Sequence, residues 1–322
     1  MKSRLIFPEP IARYAYIDKI QFWAIDPLNQ YTLDLLEAEC GKGGLHVSDE
    51  RARFDYRYCQ RVQLNQPTEN ALPLLAQRSD VHINGVEIAL DLIFKNWFEM
   101  ERAIDFLHRH LVRRWHGSRQ EIRVYRDRQQ AADDDTGQCR YDAGRSAPNR
   151  IVVYPENFTR VTGELHCLHI EWRAKGVRAT RAAGISTPED LLKFSHREFW
   201  QERLRLRDVD RRKLGLMIRN QSTGRRHRTP KTIQKGKFQY PIEARTGEGY
   251  ARMHETIQEL IHHMKSICRI DRALIPISNQ MLLPPQHTHL LYMQTTRQLD
   301  PVLASKSYLA PIEELSTTDM GD

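Results

Sequence analysis

Apolar and polar residues alternate in short segments along the first half of this chain, and later the period lengthens to that of helices. Alternation over residues 18–24, 53–64, 81–94, 121–125 and 164–175 predicts strands, because successive strand side chains point to opposite faces. Residues 140–156 read as a hairpin, with Gly144, Ser146, Pro148 and Asn149 supplying turn residues. Short helices fit 32–40 and 70–77. Over 96–116, Trp97, Met100, Ile104, Leu107, Leu111 and Trp115 recur at spacings of three or four and predict an amphipathic helix. After Gly176 helical patterns dominate. Thr187-Pro188-Glu189-Asp190 is a helix start, with a threonine N-cap, a proline at the first position and acids in the first turn. A long basic helix is expected over 195–219. Another is expected over 250–268, where Met253, Ile257, Leu260, Ile261 and Met264 share a side.

The sum is an α+β fold: a mostly antiparallel sheet with helices on one face, followed by a helical basic C-terminal region. The expected division is an α+β domain over 1–180, a helical basic region over 181–270 and a loose Pro/Gln/Thr-rich tail over 271–322.

Two of the strands carry acids on one face. In Val86-Glu87-Ile88-Ala89-Leu90-Asp91-Leu92, Glu87 and Asp91 share a side. In Leu168-His169-Ile170-Glu171-Trp172-Arg173, His169, Glu171 and Arg173 do. Between them in sequence, Arg150-Ile151-Val152-Val153-Tyr154 ends in a tyrosine. Periodicity alone is satisfied by solvated faces of half-buried strands. The same residue types on one sheet also suit a divalent cation and a phosphodiester.

Charge narrows the choice of partner. The 322 residues carry a formal net charge of +8, with 40% hydrophobic and 28% charged residues, which fits a folded globular protein with an anionic partner. From Arg211 to Lys237 there are ten Lys/Arg and no Asp or Glu. Arg211, Arg212, Lys213, Arg225, Arg226, Arg228, Lys231, Lys235 and Lys237 are therefore candidates for DNA phosphate contact, with a solvated linker as the alternative. The five cysteines are scattered and form no C-x-x-C pair, which argues against a disulfide framework or a structural zinc site. No apolar run approaches the roughly 20 residues that span a bilayer. Residues 1–10 lack the apolar stretch of a secretory leader, so a cytoplasmic location is expected.

Three segments in order resemble the rolling-circle replication initiators of the Rep_trans and phage replication-initiation-factor type. Residues 84–92 look like their first motif, an acid followed four residues on by a second. Tyr141-Asp142-Ala143-Gly144-Arg145-Ser146, leading into Arg150–Tyr154, looks like their glycine-serine turn and tyrosine strand. Residues 163–173 look like their closing strand, in which a Glu precedes an Arg by two. The likeness covers about a third of the chain. This sequence departs from the pattern at Glu87, where Asp is preferred, and at Pro155-Glu156, where an acid and a lysine tend to stand.

The resemblance implies a metal-dependent DNA nicking enzyme that initiates replication. It implies Glu87, Asp91 and Glu171 as ligands for Mg²⁺ or Mn²⁺, Tyr154 as nucleophile with Tyr141 as second candidate, and Arg173 as a phosphate contact. Its substrate would be DNA, single-stranded or supercoiled at an origin. Two alternatives stay open: a non-catalytic DNA-binding protein that keeps the initiator fold, and a structural or interaction protein with an acidic partner.

Overall fold

The computed structural model describes residues 6–41, 43–52, 54–112, 123–125, 139–141, 147–159, 161–224, 256–264 and 269–285. An eight-stranded sheet forms the centre. Its strands are β1 (Ala12–Ala24), β2 (Leu45–Ser48), β3 (Gln60–Asn65), β4 (Val81–Ile93), β6 (Arg123–Tyr125), β7 (Cys139–Tyr141), β8 (Asn149–Phe158) and β9 (Leu165–Lys175). They lie in the order β2-β3-β1-β4-β9-β8-β7-β6, and all recorded pairings are antiparallel. The two acidic strands, β4 and β9, are neighbours, and the tyrosine strand β8 adjoins β9.

One face of the sheet is apolar. Ile20 and Phe22 of β1, Ile88, Leu90 and Leu92 of β4, and Leu168 and Ile170 of β9 are fully buried in one core. The helices that cover it include α3 (Trp97–His110), α4 (Val177–Ala182), α5 (Pro188–Leu192) and α6 (His196–Arg203), preceded along the chain by α1 (Gln30–Ala38) and α2 (Ala71–Ala76). The expectation of a mostly antiparallel sheet with helices on one face holds. The helix start expected at Thr187 is where α5 begins, and it closes as a capping box: the Thr187 hydroxyl accepts from Asp190 N, and the Asp190 carboxylate accepts in return from Thr187 N.

Three expected elements are redrawn, the two helices by long-range pairing. The helix expected over 96–116 stops at His110, because Leu111–Val112 form β5 and pair with β10 (Arg205–Val209). The helix expected over 195–219 is broken by that same strand. α6 ends at Arg203, and Asp210 then starts α7 (Arg211–Gly224) by accepting from Lys213 N at 3.0 Å. The long strand expected over 53–64 shrinks to β3. Helical spacing cannot foresee these breaks, since a partner strand supplies the hydrogen bonds that the helix gives up.

β10 also pairs with β11 (Leu274–Ile277), making a second, three-stranded sheet. Against it Val209, Leu214, Ile270 and the apolar side of α8 (Ile257–Met264) form a small cluster. Residues 271–285, expected to be loose, are ordered: β11 pairs with β10, and Leu282 and Leu283 enter the main core. The core is continuous across position 180, with Ala179, Ile185, Leu191 and Trp200 all in it. Residues 286–322 lie outside the described residues.

β8 does not end at its tyrosine. It continues through Pro155, opposite Leu168, to Phe158, while β7 pairs only with Val152 and Val153. Beyond Val153, β8 is an edge among the described strands, the setting that tolerates a proline in a sheet.

Candidate functional site

The second face of the sheet is polar, and strand register composes it. Glu87 lies opposite Arg173, Ala89 opposite Glu171 and Asp91 opposite His169 across β4 and β9. On the far side of β9, Arg150 pairs with Arg173, Val152 with Glu171 and Tyr154 with His169. Glu87, Asp91, Tyr154, Glu171 and Arg173 therefore share one sheet face. Asp91 and His169 have no exposed surface, and Glu171 has 1%, which rules out plain solvated strand faces here. The turn after β8 folds over part of this face, seating Val161 against Tyr16 and Ala89.

The expected ligand trio of Glu87, Asp91 and Glu171 divides into two groups. Oxygens of Glu87 and Glu171 gather with an oxygen of Asp18, all within 4.8 Å of one another. Asp18 comes from β1, at a bulge where the register with β4 slips between Ile17 and Lys19. A bulge is a local irregularity of pairing, and no alternation pattern marks it beforehand. Asp91 lies in the second group. Its Oδ1 accepts from His169 Nδ1 at 2.7 Å, and its Oδ2 accepts from Thr159 Oγ1 at 2.5 Å and Tyr16 OH at 3.4 Å. Carboxylate oxygen of Glu156 and the Cys167 sulfur lie within 4.8 Å of it and of each other.

Cations offset the acids. Arg173 donates to both oxygens of Glu171 at 2.6 Å, a bidentate pair, and Lys19 Nζ donates to Glu87 at 2.9 Å. Burial and the neighbouring Glu87 nevertheless outweigh Arg173 and push the Glu171 carboxyl up to about 7. Burial also acts to raise Glu87, but the hydrogen bond with Glu171 and the charges of Arg173 and Lys19 bring it below the usual range. At His169 burial favours the neutral ring, but Glu156, Asp91 and Glu171 together raise it to about 9, so it is an imidazolium enclosed by carboxylates. Its Nε2 has no hydrogen-bond partner among the described residues and lies 4.0 Å from Glu171.

Three tyrosines with described side chains sit on this face, and they differ. Tyr14 donates to Glu164 at 2.8 Å, and burial with that carboxylate pushes it up to about 12. Tyr16 is buried and donates to Asp91. Tyr154 is partly exposed, its ring 4.8 Å from the His169 ring, and its charged form interacts favourably with Arg173. Tyr141 is placed by backbone register opposite Val152. Of the basic candidates, Arg211, Arg212 and Lys213 are exposed on the first turn of α7, away from the acids in sequence. Arg225, Arg226, Arg228, Lys231, Lys235 and Lys237 lie outside the described residues.

No sequence motif marks Asp18, His169 or Thr159 as site residues. His169 shows in the alternation as a neighbour of Glu171, but its bond to Asp91 depends on β4 pairing with β9.

No family model matches this chain, and no curated protein matches it. Among solved structures it is similar to a rolling circle replication initiator protein from Geobacillus stearothermophilus. That likeness covers 53% of this chain and 77% of the other, at 14% identity and a TM-score of 0.33. A likeness at that level says nothing about activity. No helix among the described residues is long and apolar enough to cross a membrane.

Proposed function

We propose that this protein nicks one strand of DNA by transesterification with Tyr154 as nucleophile, as an initiator of replication does. One observation carries the reading. Of the described tyrosines on the polar sheet face, Tyr16 is buried and Tyr14 is bonded to Glu164, whereas the partly exposed Tyr154 packs beside His169 with Glu171 and Arg173 further along the same face of the neighbouring strand and Glu87 on the strand beyond. The motif resemblance of residues 84–173 supports it independently.

In the reaction the phenolic oxygen attacks phosphorus and a Tyr154 O–P bond forms as the P–O3′ bond breaks. The protein is joined to the 5′ phosphate. The proton given up by the phenol balances the one taken by the departing 3′ oxygen. A phenol with a pKa near 10 is a weak nucleophile at neutral pH, so a neighbouring guanidinium matters. Arg173 serves the phosphate and the phenolate together.

The donor set suits Mg²⁺ or Mn²⁺, because hard cations take carboxylate oxygens and complete their shell with water. Asp18, Glu87 and Glu171 would hold the ion, with Asp91 orienting His169 beside the tyrosine. When bound, the ion polarises a phosphoryl oxygen and stabilises the leaving one. Arg211, Arg212 and Lys213 would track phosphates away from the scissile bond.

Tyr154→Phe is expected to abolish nicking of supercoiled DNA and the covalent protein–DNA adduct, with DNA binding retained. Full nicking by this variant sinks the assignment. The alternative reading, a DNA-binding protein without catalysis, is favoured by Glu156, whose carboxylate lies 4.0 Å from His169 where initiators tend to carry a lysine. A wild-type protein that binds DNA and forms no adduct decides for that alternative.

A further inference from the structure

The polar face does not stop at the acids. From Glu87 it runs along β4 through Gly85 to His82, along β1 from Lys19 through Gln21 to Trp23, and along β3 from Asn65 through Gln63 to Arg61, these residues lying opposite one another in register. His82 lies five positions from Glu87, about 17 Å at roughly 3.4 Å per residue. The path between is floored by Gly85, Gln21 and Gln63, with Lys175 of β9 opposite Gly85. At Gly85 a Cβ would stand 3.1 Å from Gln21 Cβ, so the floor there is kept flat.

At its end the path meets a group of rings. Phe54 packs edge-on against Trp23, with centroids 6.1 Å apart, and lies 5.3 Å from Tyr58 and 5.9 Å from His82. Arg61 sits over Trp23 at 5.9 Å. A ring with that many neighbours is ordinarily covered, yet Phe54 is 46% exposed, and nearby Tyr56 is 73% exposed. Trp23 Nε1 and His82 Nε2 have no hydrogen-bond partner among the described residues, although buried ring nitrogens usually find one.

The local charge is close to balanced. Arg57 pairs with Asp55 and Arg61 with Glu50, while Arg51 is exposed beside them. Such a surface is poorly suited to tracking phosphates and well suited to stacking flat, neutral rings, which every nucleobase offers whatever its sequence.

We infer that Phe54, Tyr56 and Tyr58, floored by Trp23 and edged by Arg61 and His82, form a base-stacking subsite for single-stranded DNA. It receives unpaired nucleotides that lie along the polar sheet face from the acidic site. The inference rests on the reading of a DNA strand as substrate, and it assigns that strand a direction across the sheet.

The test uses the full chain in chelator, where no nicking occurs, and measures fluorescence anisotropy of a labelled single-stranded oligothymidylate over a range of salt. Phe54→Leu keeps apolar bulk beneath the strand and removes the ring. Tyr56→Leu changes a side chain too exposed to threaten the fold. Each is expected to weaken binding about 5- to 100-fold with the salt slope unchanged, because stacking releases no counterions. Unchanged affinity in both variants, or a loss accompanied by a shallower salt slope, overturns the subsite. A wild-type chain that fails to retain the oligonucleotide overturns both the subsite and the nicking reading. Wild-type binding that both variants weaken, in a protein that forms no adduct with DNA, sinks the nicking reading and leaves the subsite standing.

Discussion

Asp18 reaches the acids through a bulge, and that gives it a role which Asp91, held by His169, Thr159 and Tyr16, is not free to fill. Asp18→Asn is expected to weaken Mn²⁺ binding by more than about 100-fold, beyond the roughly 10–100-fold that outer partners of a metal site contribute, and Asp91→Asn by no more than that range. Titration calorimetry with Mn²⁺ decides it, and the reverse order would return Asp91 to the ligand set. The acids and tyrosine on β4, β8 and β9 were legible because alternation fixes faces without knowledge of neighbours. Asp18 was not, since its orientation comes from one extra residue in β1. Nor was the division of the acids into two groups, which depends on which strand lies beside which.

At the scale of elements, α6 begins at His196, a fully enclosed ring whose titration burial lowers to about 3. An unfolded histidine titrates near 6.5, so between about 6.5 and about 3 the unfolded chain binds a proton that the folded chain refuses. Stability from this group is complete above pH 6.5 and falls as the pH drops through that window. By the lower end the loss is on the order of a few kcal/mol. His196→Phe is expected to flatten the decline in urea midpoint between pH 7 and pH 4 relative to wild type. Parallel declines would show that His196 becomes protonated within the fold. The element breaks at His110 and Arg203 illustrate a limit of pattern reading. Both sequences keep a helical period, and both yield to strand pairing among β5, β10 and β11, which are separated by long stretches of chain.

For the whole molecule, Leu282 ties the far end of the described chain to the main core, where it has no exposed surface. Leu282→Ala is expected to destabilise by about 2–5 kcal/mol and to move one cooperative unfolding transition as a unit. A biphasic curve with only one phase displaced would mean that the sheet and the C-terminal segment unfold apart. Polar composition after Pro276 concealed this tie, since two leucines suffice to make it. Pro155 has a consequence at the same scale. It lies on the stretch of β8 next to Tyr154 where, among the described strands, β9 is the only partner, and it has no N–H to offer a newcomer. A second molecule is thereby discouraged from extending the sheet at this margin, so crowding or self-association should leave the tyrosine's flank clear.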